Sequence, residues 1–254
     1  MTDASPMLNV CVSPSEQDIL AFAAGQAGTS PADYVRHKAI EAAEIDVLEY
    51  RLVTIPAADW EKFAAWVNSP VKYVPALAQT YDRRSRTAEL PSPRPLAAAD
   101  ARYGFDCGRD SLNQWFRRHA WENQEARVSG THVICDTATG EVIGYVALTA
   151  SQIERARLPE PEPFDRPDPV PALVLGQLAV DRRYQRKGYG RSLALFAMTA
   201  AVRFAEDIGC FCMFTHPLDD GVRAFLSYLG FETLPYDPRR SMAVRIGDLR
   251  QSGF

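Results

Sequence analysis

Residues 177–201 read QLAVDRRYQRKGYGRSLALFAMTAA, an apolar strand-like run, a basic turn and a long run with helical spacing. Within the turn, Gln185, Gly188 and Gly190 form Q-x-x-G-x-G directly between the strand and the helix. Backbone N–H groups at a helix N-terminus surround a pyrophosphate only where side chains do not crowd them, and two glycines permit that approach. Arg186, Lys187 and Arg191 add positive charge around such an anion. An ordinary strand-to-helix turn satisfies the same six residues, so the surrounding chain must decide between them.

Around this stretch, LVLGQLAVD, THVICD, EVIGYVALTA and CFCMFTH read as strands. They alternate with helical runs at 109–127, 190–208 and 219–229, which predicts an α/β domain over 95–254. The 254 residues, 46% of them hydrophobic, suffice for a real core. No stretch is long and apolar enough to span a bilayer, and MTDASPMLNV lacks the layout of a signal peptide, so a cytoplasmic protein is expected. Five cysteines, without a C-x-x-C pair, and four scattered histidines predict neither a disulfide framework nor a metal site. Cys210 and Cys212 are expected on one face of a strand, as buried apolar residues.

The N-terminal part has a different grammar. MLNVCV alternates like one short strand, and Ser13, Pro14 and Glu16 spell a capping box that starts a helix running to about Gly25. Ser30 and Pro31 start a second. One strand and two helices make too small a core to stand alone, and the economical solution is pairing with the same strand of a second chain. Residues 83–95, RRSRTAELPSPRP, are the best linker.

The order LAVD, the glycine turn, GRSLALFAMTAA and then THPLDDGVRAFLSYLGF resembles the GNAT acetyltransferase superfamily. The resemblance implies that Gln185, Arg186, Lys187, Gly188, Tyr189, Gly190, Arg191 and Ser192 grip the pyrophosphate of acetyl-CoA. It implies also that the backbone of Leu178, Ala179 and Val180 holds the acetyl and pantetheine portion. YGFDCGRDSLNQWFRRHAWENQEARVSGTHVI further resembles the toxin branch of that superfamily through Phe105, Cys107, Gly108, Leu112, Trp115, Ala120, Asn123 and Thr131. Members of that branch acetylate the free amine of aminoacyl-tRNA and stop translation. The N-terminal residues are similar to the ribbon-helix-helix fold. The segment RLVTIPAADWEKFAAWVNSPVKYVPALAQTY resembles the toxin-wrapping tail of the antitoxins that partner such toxins.

The expected fold is therefore an α/β GNAT acetyltransferase domain (95–254) preceded by a small ribbon-helix-helix dimerisation module (1–50), a toxin-neutralising tail (51–82) and a linker (83–94). The expected activity is an N-acetyltransferase using acetyl-CoA, most plausibly on aminoacyl-tRNA, masked by its own N-terminal segment. A tether of about a dozen residues supplies roughly millimolar effective concentration of the masking partner.

Two departures from the family pattern matter. The family places an acid tyrosine where this chain has Leu226, a loss worth roughly 10²- to 10⁴-fold if nothing replaces it. Tyr228 is the nearby candidate, although residues two apart on a helix point about 200° from one another. Gln177 stands where the branch usually has arginine, and His216 matches a histidine of the branch for which a structural role is the better reading.

Arg109, Arg117, Arg118, His119, Arg127, Arg182, Arg183 and Arg191 are candidates for an RNA-facing surface, or for an ordinary solvated face. Operator DNA is not favoured. Residues 1–50 carry eight acids against Arg36 and Lys38, and if Leu8, Val10 and Val12 face the core, the outward residues Met7, Asn9 and Cys11 offer no base. The alternative is a DNA-binding regulator or scaffold whose GNAT domain is catalytically degenerate at Leu226. An acetyltransferase acting on protein N-termini or small amines is a third reading.

Overall fold

A computed structural model describes residues 8–49, 52–79, 90–155, 169–234, 237 and 240–254. Met7, the last residues of the expected tail (80–82) and most of the expected linker (83–89) lie outside the described residues. Contacts divide the chain into two compact units, 1–44 and 45–254.

The first unit carries α1 (Pro14–Gln26) and most of α2 (Pro31–Glu49). Both start where the serine-proline signals place them. The Ser13 N–H donates to Glu16 at 2.7 Å while the Glu16 N–H donates to Ser13 Oγ at 3.4 Å, and the Asp33 N–H donates to Ser30 Oγ at 3.1 Å. Residues 8–12, read as a strand, pair with no strand among the described residues, and Leu8 and Val10 are 88% and 63% exposed. Ile19, Phe22 and Ile40 are exposed as well. A strand without a partner cannot form its ladder, and this unit buries almost no apolar surface of its own.

The second unit is one eight-stranded sheet. Its main path runs β2 (Arg94–Pro95), β3 (Gly130–Cys135), β4 (Val142–Arg155), β5 (Val170–Val180), β6 (Cys212–Thr215), β8 (Met242–Arg245) and β7 (Glu232–Thr233). β1 (Leu52–Ile55) adds to β4 in parallel, Leu52 opposite Gln152 and Ile55 opposite Arg155. The main path is antiparallel except for β5 and β6, which run parallel and are joined by the crossover helix α7 (Tyr189–Asp207).

One face of the sheet carries α7, α8 (Asp220–Tyr228) and α9 (Ile246–Gln251) over a core that includes Leu193, Met198, Met213, Leu226 and Leu249. The helical run expected over 109–127 is two helices, α5 (Asp110–Arg118) and α6 (Ala120–Glu125), broken at His119. They are anchored through Tyr145, whose ring stacks on Phe116 at 4.3 Å and whose hydroxyl donates to the Leu112 carbonyl at 2.9 Å. Complete burial pushes the Tyr145 pKa well up and keeps it a donor.

The tail is part of this domain's core. α3 (Trp60–Asn68) lays Trp60, Phe63 and Val67 on Ala172, Val174, Cys212, Phe214 and Ala243, side chains of the sheet face turned away from α7. Downstream, α4 (residues 75–79) sinks Leu77, fully buried, into the cluster that holds Leu226 and Phe231. It sits so close to Gly230 that a β-carbon there would come within 2.9 Å of Leu77 Cδ1.

Arg245, 3% exposed, holds the bend between α3 and α4. Its guanidinium donates to the carbonyls of Trp66, Ser69 and Pro70 at 3.3, 2.6 and 2.8 Å, and to Asp248 at 2.9 Å. Asp248 in turn accepts from the Lys72 N–H at 2.7 Å. These bonds cap the C-terminus of α3 with a charge of the right sign.

Cys212 is buried in β6 as expected, whereas Cys210 precedes the strand and bonds the Cys212 carbonyl through Sγ. The ladder with β5 begins only at residue 212, so the two sulfurs do not share a strand face. Burial pushes the Cys210 thiol up to about 11. All five cysteines are free.

Replacing Arg245 by Met leaves Asp248 buried without its cation and three carbonyls uncapped. A loss of about 3–5 kcal/mol in urea unfolding is expected, together with faster proteolysis between α3 and α4.

Candidate active site

β5 and β6 pair only from Ala172 to Val174, opposite Cys212 to Phe214. β5 continues to Val180, so among the described residues no strand lies beside the edge of its last residues, and the two strands part into a cleft. At the parting, Ala147 pairs with Gln177 and Leu148 with Leu175, which leaves Gly176 as an extra residue in β5. Such a bulge bends the strand and re-aims its backbone, and glycine costs it nothing sterically.

The cavity there, about 100 Å³, is lined by Leu175, Gly176 and Leu178 of β5, Thr215 and His216 at the end of β6, and Val222, Phe225 and Leu226 of α8. Arg109 and Leu112 close it from α5. An ion pair between Arg109 and Asp219, the residue that caps α8, ties the two helix N-termini across the opening.

Below the cleft lies the glycine turn. Arg186 and Gly188 both have positive φ, 60° and 92°, and Gly188 is the N-cap of α7 with no side chain bonded to the helix end. The first turn of a helix leaves its N–H groups without intrahelical partners, and here those of Tyr189, Gly190 and Arg191 carry the positive end of a 19-residue helix. Nε and Nη2 of Arg191 are buried with no hydrogen-bond partner. The arrangement is a socket for a phosphate-like anion. Leu90, from the end of the linker, lies against Gly188, 3.7 Å from where a β-carbon would project.

Among the cofactor candidates the division of labour is clear. Gln185, itself exposed, braces the turn, its amide donating to the carbonyls of Cys107 and Val180 at 2.8 and 2.9 Å. Lys187 donates to the Arg183 carbonyl at 2.9 Å and covers the Tyr184 ring. Arg186 is exposed, and Ser192 donates its N–H back to Gly188. Leu178, Ala179 and Val180 form the end of β5, still paired to β4 on their other side.

The turn leans on the loop before α5. Asp106 accepts from Gly108 at 2.9 Å and from the Asn113 amide at 2.9 Å, and these bonds hold its carboxyl below the usual range. Its backbone carbonyl accepts from the Arg182 N–H. Arg182 and Arg183 are engaged with Asp106, Asp181 and Glu141, so they act as struts of the turn.

On the acceptor side, Leu226 is 2% exposed and lines the cleft, whereas Tyr228 is 52% exposed at the end of α8 and is not part of the lining. Helical geometry turns it away. Gln177 is buried on the strand face away from the cleft. His216 lines the cleft with Nδ1 2.6 Å from Ser241 Oγ. Sequence reasoning missed Gly176, Thr215, Phe225 and the Arg109–Asp219 pair. A glycine inside the apolar run VLGQLAV was the one available signal, because glycine in a strand interior marks a bulge or a close approach.

A parallel strand pair that parts over a bulge, above an uncapped helix N-terminus, matches a known protein family. The Acetyltransferase (GNAT) family model covers residues 96–231. The chain belongs to the GNAT acetyltransferase family. Residues 7–86 match a second model, that of the Antitoxin TacA 1-like proteins, so this GNAT domain carries an antitoxin-like segment on the same chain. It is 35% identical over 153 residues to a tRNA-acetylating toxin of Mycobacterium tuberculosis, a match spanning 60% of this chain and 91% of that protein. The probable toxin TacT of Sinorhizobium fredii is 28% identical over 158 residues, 59% of this chain and 87% of TacT. Among solved structures, AtaTR bound with acetyl-CoA superposes at a TM-score of 0.57, with 25% identity over 63% of this chain and 95% of that one. AtaT complexed with acetyl-methionyl-tRNAfMet gives 0.56, with 25% identity over 63% and 96%.

The two glycines of the turn should respond oppositely to alanine. Gly188→Ala forces a β-carbon into the left-handed region and is expected to cost about 1–2 kcal/mol. Gly190→Ala meets nothing closer than 3.7 Å inside a helix, and a gain of up to about 1 kcal/mol is expected. Thermal unfolding of the two variants beside the parent reads both signs.

Proposed function

We propose that this chain is a fused antitoxin-toxin protein whose GNAT domain transfers an acetyl group from acetyl-CoA to the amine of aminoacyl-tRNA in the cytoplasm. The observation that carries the reading is the open edge of β5 above the uncapped N-terminus of α7. The residues present fit acetyl-CoA at both places. The edge at Leu178–Val180, where the Val180 carbonyl already accepts from Gln185, offers its remaining backbone groups to the amides of a pantetheine arm, and the N–H groups of Tyr189, Gly190 and Arg191, with the Arg191 guanidinium, suit the pyrophosphate. Arg186 stands outside as a further cation.

Acetyl-CoA supplies an activated thioester carbonyl. The chain's part is to orient it along β5, to exclude water with Leu175, Leu178, Phe225 and Leu226, and to present backbone donors at the bulge for the charge that develops on oxygen. Leu226 has no proton to give, and Tyr228 does not reach the cleft, so the departing sulfur takes the proton that the incoming amine loses on acylation. Leu226→Tyr is therefore expected to raise kcat by roughly 10²-fold with little change in KM, read in a labelled-acetyl transfer assay on full-length protein and bulk aminoacyl-tRNA. If wild type and L226Y are both silent while acetyl-CoA still binds, in the intact chain and again after limited proteolysis between α3 and α4 has relieved the masking, the regulator or scaffold alternative, which the leucine at 226 favours, replaces this reading. Failure of acetyl-CoA to bind sinks the enzyme altogether.

The apolar residues left exposed in the first unit support its role as a dimerisation module. Leu8, Val10 and Val12 along an unpaired extended segment, with Ile19, Phe22 and Ile40 on the helices, give a second copy a strand edge and an apolar face to close. Val10→Lys is expected to convert a dimer into a monomer in sedimentation equilibrium without lowering acetyl-CoA affinity. Operator DNA is disfavoured by the eight acids against two bases of residues 1–50. The tail serves as a built-in neutralising segment. With Phe63 and Leu77 fully buried, it does not leave the domain without opening the core, so masking here is a matter of local rearrangement rather than dissociation.

A further inference from the structure

On the other side of α5 from the acyl-transfer cleft lies a second, open cleft of about 790 Å³, walled by the turn at Arg102 and Tyr103 and by the outer face of α5 and α6. We infer that it is a subsite for single-stranded RNA, which takes a backbone phosphate between Arg102 and Arg117 and stacks a base on Tyr103. The inference rests on the tRNA reading above and names where the chain outside the aminoacyl end would be held.

Unspent charge is the first argument. Nε and Nη1 of Arg102 and Nε of Arg117 are buried without a hydrogen-bond partner. Buried guanidinium N–H groups are costly unless something accepts from them, and a phosphate seated between the two arginines would supply charged acceptors. The neighbouring carboxylate, Asp100, is already taken by a two-pronged pair with Arg94 at 2.8 and 2.6 Å. Among the described residues Arg117 bonds to a neutral acceptor, the Phe105 carbonyl, at 2.8 Å. Neither arginine makes an ion pair among the described residues. Arg118 and His119 add to the positive lining, and the acid there, Glu122, lies 3.8 Å from His119 Nδ1.

The second argument is the aromatic surface. Tyr103 is 82% exposed beside these cations, and Trp121 lines the same cleft. Guanidinium groups interleaved with exposed rings suit unpaired bases on a phosphodiester backbone, since every base has a face to stack and every step a charge to neutralise. A bare anion would leave the tyrosine idle. α5 links the two sites, with Arg109 and Leu112 at the transfer cleft and Gln114, Arg117 and Arg118 at this one.

The test is fluorescence anisotropy of full-length protein with deacylated tRNA and with an unstructured oligoribonucleotide, over a range of salt. Tyr103→Ala and Arg118→Glu are the primary variants because both side chains are exposed, with Arg102→Gln as the third. Each is expected to weaken RNA binding about tenfold or more, and each lost phosphate contact should flatten the slope of log K against log salt by about 0.7. Acetyl-CoA affinity should not move. RNA binding that is absent in the wild type, or equal in Y103A, R118E and the wild type, overturns the inference. Equal competition by AMP and by the oligomer overturns its RNA part, leaving a mononucleotide site. Acetyl transfer on the same samples separates the two readings. RNA binding through these residues without transfer keeps the subsite and removes the acceptor assignment, and transfer with unaffected variants does the reverse.

Discussion

The hydrogen-bond ladder between β5 and β6 stops after Val174, and the rest of the site is a consequence of that stop. Parallel strands normally stay paired because each unpaired backbone group in the interior costs stability. Here the separation is maintained by covalent and steric facts on both sides: an extra residue, Gly176, that bends β5, and a β6 of only four residues that ends at Thr215. The unpaired edge created by this geometry is kept from collapsing by α5 and α8, whose N-termini are tied by Arg109 and Asp219. Opposite the end of β5, Gly144 of β4 leaves room for α7, since a β-carbon there would come within 2.9 Å of the Ala179 carbonyl and 3.0 Å of Leu193. The close seating fixes the N-terminus of α7 below the cleft.

The opposite end of the same strands depends on residues far upstream. Where β5 and β6 are still paired, their second face is covered by α3, and Arg245 gathers the carbonyls at the end of that helix from a position 176 residues away from Ser69. A buried arginine is expensive to desolvate, and it is tolerated because each of its N–H groups finds an acceptor and Asp248 supplies the countercharge. Residues 52–79 of the antitoxin-like segment are thus a layer of the acetyltransferase domain rather than an accessory resting on it. Fusing the two on one chain fixes their stoichiometry, and the burial of Phe63 and Leu77 makes their association inseparable from folding.

Leu226 shows how a single residue can be structurally well accommodated and chemically conspicuous. It packs in the core with Leu229, Phe231 and Leu77, and it lines the transfer cleft. An apolar side chain suits both places and has no proton to donate. The neighbouring Tyr228 is carried to solvent by the helix.

What the sequence determined by itself was local. Capping at Ser13 and Ser30, the Q-x-x-G-x-G turn, the strand-helix alternation of the second half and the outward turn of Tyr228 all follow from interactions within a few residues, where spacing alone sets geometry. Gly188 was legible because only glycine is at ease at its φ. Tertiary structure decided the rest. It decided that β1 adds to the far end of β4, that the Gln185 amide braces the turn through the carbonyls of Cys107 and Val180, that Arg182 and Arg183 are struts while Arg102 and Arg117 keep donors without a partner among the described residues, and that Arg109 meets Asp219. Each of these depends on which groups meet across long stretches of chain, and a residue's charge or polarity carries no information about the partner that will use it.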